Sequence, residues 1–120
     1  MKKIVITGAL GYLGTELCKI YSGESWRNKI IGIDSRFLSE RASQLKDWGI
    51  EFFHGHIFDL EFLKKHLFDA DIIHHLAGVT DVAYVSKEAS KELDEKIRSV
   101  AIDGTNNILK SISNKCKIIF

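Results

Sequence analysis

Three glycines near the amino terminus have the spacing of a phosphate-binding turn. Gly8, Gly11 and Gly14 follow a short β-branched run and precede a segment with apolar residues at helical spacing. In such a turn the first glycine permits a tight bend, the second lets the backbone approach a pyrophosphate, and the third lets the helix pack closely. The helix amino terminus then offers free N–H groups to the anion. A strand, three glycines and a helix in this order favour dinucleotide binding over a purely structural turn.

An acidic residue at the end of the second predicted strand completes this pattern. Asp34 can accept hydrogen bonds from the hydroxyls of an adenosine ribose. A 2′-phosphate beside this carboxylate would meet like-charge repulsion, so the sequence favours NAD and disfavours NADP. Two alternatives stay open. Arg36 could stack on adenine or partly offset such a phosphate, and Asp34 could simply cap the following turn.

Five short apolar segments are predicted to be strands, and helical patterns separate them. The predicted strands are Ile4–Thr7, Lys29–Asp34, Glu51–Gly55, Asp71–Leu76 and Cys116–Phe120. Strict alternation with helices predicts a parallel sheet covered on both faces. We therefore expect an α/β fold, a Rossmann-type doubly wound sheet with strand order 3-2-1-4-5. Its ligand crevice should lie beside the carboxyl ends of strands one and four.

Four helices are predicted from apolar spacing and capping residues. The first helix closes at Gly23 and is predicted to bury Leu13, Leu17, Ile20 and Tyr21, and the second ends near Gly49 and is predicted to bury Leu38, Ala42 and Leu45. The third is capped by Asp59 and is predicted to bury Leu60, Leu63 and Leu67. The fourth is one long helix from about Ser86 to Asn114.

Composition limits the classes of partner. The 120 residues carry a net charge of +1, with 45% hydrophobic and 28% charged residues. They contain no basic stripe for nucleic acid and no apolar run long enough to span a membrane. We expect a single cytoplasmic domain over residues 1–120, with Cys18 and Cys116 as reduced thiols.

Five histidines raise the question of a metal site. Alternation places His54 and His56 on one side of a strand, whereas adjacent His74 and His75 point to opposite faces. No carboxylate or cysteine lies at ligand spacing from either pair. We predict no metal site, and packing in the core or the crevice is the favoured interpretation of these residues.

Three segments carry a family resemblance, and together they extend along the whole chain. The segment Thr7–Gly14 matches a TGxxGxxG turn, His75–Gly78 matches an HLAA or HLAG strand end, and Gly104-Thr105-Asn106 matches the start of a GTxN helix segment. The chain thus resembles the extended short-chain dehydrogenase/reductase family, the NAD-dependent epimerases and dehydratases of nucleotide sugars. The resemblance implies that Asp34 selects NAD and that Leu76, Ala77 and Gly78 lie against the nicotinamide-side ribose.

The predicted cofactor site combines the glycine turn, the ends of strands two and four, and the loop after strand three. Its members are Gly8, Gly11, Tyr12, Leu13, Gly14, Asp34, Ser35, Arg36, His56, Ile57, Leu76, Ala77 and Gly78. Two positions depart from the family pattern. His56 stands where the family has an aspartate that meets the adenine amino group, and Ala101 stands where an asparagine is usual.

No catalytic residue is predicted within the chain. The family's Ser or Thr and its Tyr-x-x-x-Lys pair follow strand five, beyond Phe120, and no tyrosine here has a lysine four residues later. The resemblance implies the NAD-binding part of a nucleotide-sugar epimerase, dehydratase or reductase, truncated after strand five and without its substrate domain. The alternative is a non-catalytic NAD-binding module that senses the cofactor or binds a protein. The apolar segment Ile118–Phe120 could pair two copies as a homodimer.

Overall fold

The computed structural model describes residues 1–78 and 91–120, with side chains in the second range described from residue 95 onward. Five parallel strands form one sheet in the order β3-β2-β1-β4-β5. They are β1 (Lys3–Thr7), β2 (Lys29–Asp34), β3 (Glu51–His54), β4 (Ile72–His75) and β5 (Lys117–Ile119). The predicted strand order is confirmed, and the strand ends differ from the predicted bounds by one residue at most.

Helices flank the sheet, and two of them carry a short irregular turn. The α-helices are α1 (Tyr12–Tyr21), α2 (Ser39–Asp47), α3 (Leu60–Leu67), α4 (Lys91–Ser99) and α5 (Thr105–Ser111). A 3₁₀ turn, Ser22–Glu24, follows α1, and a π turn, Val100–Gly104, joins α4 to α5. No helix within the described residues is long and apolar enough to cross a membrane.

Side chains alternate between the two sheet faces and build two apolar cores. On one face, β-strand residues pack with α3 and α5, and this cluster includes Val5, Ile31, Ile33, Ile73, Leu63, Leu67 and Ile108. On the other face, they pack with α1 and α2, and this cluster includes Ile4, Ile6, Ile30, Leu10, Cys18, Leu45 and Ile50. Burial on both faces explains why the strands read as continuous apolar runs.

Strand register brings the polar strand ends to one edge of the sheet. Thr7 pairs with Ile33 on one side and with His75 on the other. Asp34, which ends β2, pairs with His54 of β3. The carboxyl ends of β1, β2 and β4 therefore form a common rim, and they hold functional groups from three distant parts of the sequence.

The buried face of α1 differs in part from the predicted one, since Leu17 and Tyr21 pack against the core as predicted. Leu13 and Ile20 were expected in the core, but 67% of Leu13 and 73% of Ile20 is exposed. Gly14 and Cys18 are the buried residues of α1. Because Gly14 has no side chain, the helix lies close to the backbone of Gly8 and Ala9 there, and the stripe through Gly14 and Cys18 faces inward. Apolar spacing alone does not identify a glycine as the centre of a helix face.

The long carboxyl-terminal helix is also corrected in detail. It is not one regular α-helix, because the π turn interrupts it, and it ends at Ser111 instead of Asn114. Gly104, the last residue of the π turn, is buried, and a Cβ there would lie 2.2 Å from Ile57 Cδ1. The predicted start near Ser86 lies outside the described residues.

Candidate functional site

A cavity of about 630 Å³ lies at the rim formed by the carboxyl ends of β1, β2 and β4. Every residue of the predicted cofactor site lines it: Gly8, Gly11, Tyr12, Leu13, Gly14, Asp34, Ser35, Arg36, His56, Ile57, Leu76, Ala77 and Gly78. Ile33, Gly55, Lys96 and Val100 also line the cavity and were not predicted. The fold therefore gathers the predicted residues into one place, while their contacts with a cofactor stay a prediction.

Two of the three glycines in the turn are required by the fold itself. Gly8 has φ +70°, a backbone conformation that residues with a side chain rarely adopt. A Cβ at Gly8 would also lie 2.8 Å from the backbone N of Ala77. At Gly14 a Cβ would lie 2.0 Å from the carbonyl oxygen of Gly8. Any larger residue at either position would force the backbone of the turn to move.

Gly11 is different, because the fold constrains it less strictly than Gly8 and Gly14. Its backbone is extended, with φ −73° and ψ 175°, which any residue can adopt. A Cβ would meet Gly8 O at 3.2 Å and the end of the Arg36 side chain at 3.3 Å, which is tight but needs only a small shift. The missing side chain leaves the cavity wall open beside the start of α1.

The amino terminus of α1 has the properties of an anion site. Gly11 is its N-cap residue and supplies no side-chain hydrogen bond to the first turn. The first N–H groups of a helix have no intrahelical partner, and they carry the positive end of the helix dipole. Tyr12, Leu13 and Gly14, which begin the helix, all line the cavity. A phosphate in the cavity would thus meet backbone donors without needing a lysine.

Asp34 is a buried carboxylate whose oxygens already have donors. The residue is 5% exposed, and Oδ2 accepts a hydrogen bond from the backbone N–H of Leu10 at 2.9 Å. Oδ1 accepts one from the backbone N–H of Arg36 at 2.9 Å. The Arg36 guanidinium adds a contact of 3.3 Å to each oxygen. The Arg36 side chain is 56% exposed, so it lies between the carboxylate and solvent at the cavity.

This arrangement bears on both alternatives for Asp34 and Arg36. Asp34 does cap its own turn, since it accepts from the N–H two residues later. It also holds the glycine turn through Leu10. A carboxylate has roughly four acceptor positions, so ribose hydroxyls would have to replace the guanidinium contacts while the two backbone bonds remain. Arg36 is the exposed partner, and its departure would open the Asp34 carboxylate to the cavity.

A second polar group at the rim joins three strand and helix ends. Thr7 Oγ1 lies 2.8 Å from His75 Nδ1, and His75 Nε2 lies 3.3 Å from Thr105 Oγ1. Thr7 Oγ1 also accepts hydrogen bonds from the backbone N–H groups of Leu76 and Ala77, both at 3.1 Å. His75 is 9% exposed, and burial lowers its pKa below 6.5. The imidazole is therefore neutral at physiological pH.

The remaining histidines hold structural positions. His74 points to the opposite face from His75, as predicted, and its Nε2 lies 2.7 Å from the Tyr21 hydroxyl. His66 packs between the rings of Phe53 and Phe62, with centroids 4.2 and 4.7 Å away. Burial lowers the pKa of both histidines. Within the described ranges, no three histidine, cysteine or acidic side chains group as metal ligands.

Comparison with known proteins identifies the family. The profile of the 3-beta hydroxysteroid dehydrogenase/isomerase family matches residues 5–119. The chain belongs to this family. The resemblance to extended short-chain dehydrogenases and reductases is thereby confirmed.

Curated relatives of this family member are much longer than the chain. A dTDP-D-glucose 4,6-dehydratase of Dictyostelium discoideum is 31% identical over 121 residues, which cover 95% of this chain and 26% of the relative. A protein named 052L of Frog virus 3 (isolate Goorha) is 30% identical over 120 residues, which cover 95% of this chain and 30% of the relative. The chain thus spans less than a third of the length of these relatives.

Solved structures share the fold at low sequence identity. UDP-glucose 4-epimerase from Bifidobacterium longum, in complex with NAD+ and UDP, has a TM-score of 0.73 at 14% identity, covering 92% of this chain and 33% of that one. A DesIV double mutant (dTDP-glucose 4,6-dehydratase) from Streptomyces venezuelae, with NAD and DAU bound, has a TM-score of 0.72 at 21% identity, covering 90% and 34%. These similarities support the same sheet architecture.

The departure at His56 has a structural context in this 3-beta hydroxysteroid dehydrogenase/isomerase family member. His56 is exposed at the cavity, and its Nδ1 accepts a hydrogen bond from the backbone N–H of Phe58 at 3.0 Å. Its ring also packs on the Phe58 ring, with centroids 4.6 Å apart. Because Nδ1 is an acceptor already in use, the neutral ring presents a donor at Nε2. It therefore cannot accept from an adenine amino group as an aspartate would.

The helix wall of the cavity explains the residues that sequence reasoning missed. Val100 lines the cavity, whereas Ala101, the position of the usual asparagine, is exposed. Lys96 lies on the same wall one turn earlier and adds a positive charge. Asn107 donates from Nδ2 to the carbonyl of Ile57 at 3.0 Å and so holds the loop that carries His56. The π turn between α4 and α5 includes Val100, which lines the cavity, and no pattern in the sequence predicts this turn.

Proposed function

We propose that the chain binds NAD in this cavity. In this arrangement the pyrophosphate lies against Gly11 and the amino terminus of α1. The adenosine ribose lies at Asp34, and the nicotinamide-side ribose lies against the turn of Leu76, Ala77 and Gly78. The cavity volume of about 630 Å³ is in the usual range for a small-molecule site, and its position is the switch point of a doubly wound sheet.

The observation that carries this proposal is the contrast between Gly11 and its two neighbours. Gly8 and Gly14 are glycines because a Cβ would strike the backbone of the protein at 2.8 and 2.0 Å. Gly11 has an ordinary backbone conformation, and a Cβ there would meet its neighbours at 3.2 and 3.3 Å, a much milder conflict than at Gly8 or Gly14. The fold alone therefore gives a weaker reason for a glycine at this position. A pyrophosphate that approaches the backbone supplies a further reason.

Preference for NAD over NADP rests on Asp34. The carboxylate is buried, and Leu10 and Arg36 hold it with backbone hydrogen bonds. The carboxylate cannot turn away from a 2′-phosphate without breaking those bonds, so its electrostatic repulsion of the phosphate would weaken NADP binding. Arg36 offsets part of this charge. We propose that NAD binds more tightly than NADP by at least about tenfold.

For the whole protein we propose an enzyme that acts on a nucleotide sugar, as an epimerase, dehydratase or reductase. Residues 1–120 would be its NAD-binding Rossmann domain. NAD supplies the chemistry of taking and returning a hydride. The residues of this chain bind the cofactor, orient it and cover the pyrophosphate. The curated dTDP-D-glucose 4,6-dehydratase relative supports the substrate class.

We further propose a cytoplasmic location and a homodimer. Cys18 and Cys116 are both free, which suits a reducing compartment. β5 lies at the sheet edge, where Ile119 is 44% and Phe120 is 75% exposed. An exposed apolar edge strand can pair with a second copy. Light scattering of the purified chain tests the dimer.

Calorimetric titration with NAD and NADP tests the proposed site. We expect NAD to bind more tightly than NADP, and we expect Gly11→Val to weaken NAD by more than about tenfold because the side chain occupies the pyrophosphate position. Gly23→Val is the matched control, since a Cβ at Gly23 meets nothing within 4 Å and the residue is outside the cavity lining. Unchanged NAD affinity in a folded Gly11→Val protein would contradict the proposal.

A further inference from the structure

One imidazole connects the three segments that carry the family resemblance. Thr7 begins the glycine turn, His75 ends β4, and Thr105 begins α5. The two ring nitrogens of His75 contact the two threonine hydroxyls, at 2.8 and 3.3 Å. These residues lie 30 to 68 positions apart in the sequence, so the chain of contacts exists only in the folded protein.

The hydrogen bonds at Thr7 favour one tautomer of this histidine. A hydroxyl has one donor and two acceptor positions. The N–H groups of Leu76 and Ala77 both donate to Thr7 Oγ1 at 3.1 Å, and the Leu76 N–H is shared with the Thr7 carbonyl oxygen at 3.3 Å. With two N–H groups directed at its oxygen, the Thr7 hydroxyl favours pointing its own proton to His75 Nδ1. A neutral ring that accepts at Nδ1 carries its proton on Nε2, from which it donates to Thr105 Oγ1.

This arrangement controls the floor of the cavity. The Thr7 hydroxyl accepts hydrogen bonds from the N–H groups of Leu76 and Ala77. Ala77 packs closely on Gly8, since a Cβ at Gly8 would lie 2.8 Å from the backbone N of Ala77. The separation between the glycine turn and the turn after β4 therefore depends on which way this hydroxyl points. On the Nε2 side of His75, the contact residue Thr105 follows Gly104, which packs on Ile57 of the cavity wall.

We infer that His75 is a positioning residue for the dinucleotide site: its neutral Nε2–H form orients the Thr7 hydroxyl, and protonation of the ring weakens dinucleotide binding. A protonated ring carries N–H on both nitrogens, so Nδ1–H would face a hydroxyl oxygen to which two N–H groups already donate. The contact becomes repulsive unless Thr7 releases Leu76 or Ala77. The inference rests on the proposed function, because the affected turn is the predicted contact of the nicotinamide-side ribose.

The surroundings of His75 favour the neutral form. Its described contacts are Thr7 of β1, Thr105 of α5 and the ring of Phe120 after β5, whose centroid is 6.0 Å away, and none of them is charged. Burial lowers the pKa, so the folded protein disfavours the proton. The neutral form dominates above pH 6.5, and its contribution is lost as pH falls through the lowered pKa.

Nitrogen-15 NMR of the histidine rings tests the tautomer without any cofactor. At about pH 7.5, where the ring is neutral, we expect His75 Nδ1 to show the shift of an unprotonated acceptor and Nε2 that of a protonated nitrogen. A ring protonated on Nδ1 would overturn the inference. This measurement needs no variant, so it stands even if substitutions at His75 prevent folding.

The pH dependence of NAD binding tests the positioning role. For the unchanged chain, we expect affinity to be constant at neutral pH and to weaken once the pH falls below the lowered pKa of His75, by up to about tenfold for each pH unit below that pKa. His75→Asn places an amide oxygen near the Nδ1 position, so it should bind NAD above and below that pKa with little difference. His75→Leu removes the acceptor and should bind weakly throughout.

His74→Asn is the matched control. His74 precedes His75 in β4, its pKa is also lowered by burial, and it contacts Tyr21 on the other face of the sheet. Its substitution should leave the pH dependence of NAD binding as in the unchanged chain. A His75→Asn protein that keeps the full pH dependence would overturn the inference. If NAD fails to bind at any pH, the proposed function fails, whereas the tautomer result stands by itself.

Discussion

The two ends of the cavity offer different kinds of groups to the proposed cofactor. At the proposed pyrophosphate end the cavity is lined by Gly11 and by Tyr12, Leu13 and Gly14 of the first turn of α1, and close backbone packing at Gly8 and Gly14 sets the path of this turn. At the adenosine end the groups are side chains of Asp34, Arg36 and His56, two of which are exposed. Backbone recognition is fixed by the fold, whereas side-chain recognition can change with one substitution. The family pattern holds throughout the glycine turn, whereas at the second end Asp34 matches it and His56 departs from it.

The largest expected effect is a loss of stability when a glycine of the phosphate-binding turn is replaced. Gly14→Ala places a Cβ 2.0 Å from Gly8 O, so the turn must move, and we expect unfolding free energy to fall by about 3 kcal/mol. Urea unfolding followed by circular dichroism measures the loss. Gly23→Ala is the control, because a Cβ there meets nothing within 4 Å. Equal stability of the two variants would show that the turn is not rigid.

At the adenosine end, substitution of Asp34 should change nucleotide selectivity, and Asp34→Ala should also lower the stability of the turn because the buried Leu10 N–H loses its acceptor. In Asp34→Ala the ribose acceptor and the repulsion of a 2′-phosphate both disappear, so the preference for NAD over NADP should fall by about tenfold. Asp34→Asn removes the charge but keeps an oxygen that can accept from the Leu10 N–H. Comparing the two variants therefore shows how much of the preference for NAD depends on the negative charge. Calorimetry with both nucleotides measures the ratio. A preference for NADP in the unchanged chain would refute this account of Asp34.

These two expectations show how far the sequence could predict the site. Gly8, Gly11, Gly14 and Asp34 were found because their roles depend on residue type and position along strand and turn. The links through Arg36, His75 and Asn107 were not found, since each joins side chains or backbone groups whose partners only the folded packing selects. The strand order followed from alternation. The π turn and the buried face of α1 did not, because both depend on how closely a glycine approaches its neighbour.

A smaller effect is expected for Arg36, which faces the carboxylate that a ribose would use. Arg36→Ala should lower the stability of the nucleotide-free protein by less than about 1 kcal/mol, because the ion pair is half-exposed. NAD should then raise the melting temperature more in this variant than in the unchanged chain, since no guanidinium has to be displaced. If Arg36 instead stacks on adenine, the variant will bind NAD more weakly and its thermal shift will be smaller.

The smallest effect is expected at His56. His56→Asp restores an acceptor for the adenine amino group and should strengthen NAD binding by about threefold at neutral pH. His56→Asn supplies an amide oxygen without the charge, so a gain in both variants would identify the hydrogen bond as the cause. Titration calorimetry at neutral pH compares the three proteins. No gain in either variant would mean that adenine does not lie where His56 faces the cavity.

The central claim is that backbone N–H groups at the start of α1 hold the pyrophosphate. Amide NMR during titration with NAD tests it most directly, because every backbone N–H is observed separately. We expect the largest shift changes at Gly11, Tyr12, Leu13 and Gly14, with smaller changes at Asp34 and at Leu76–Gly78. We expect no change around Gly23, at the far end of α1. Binding of NAD that leaves the amides of Gly11–Gly14 unchanged would contradict the account.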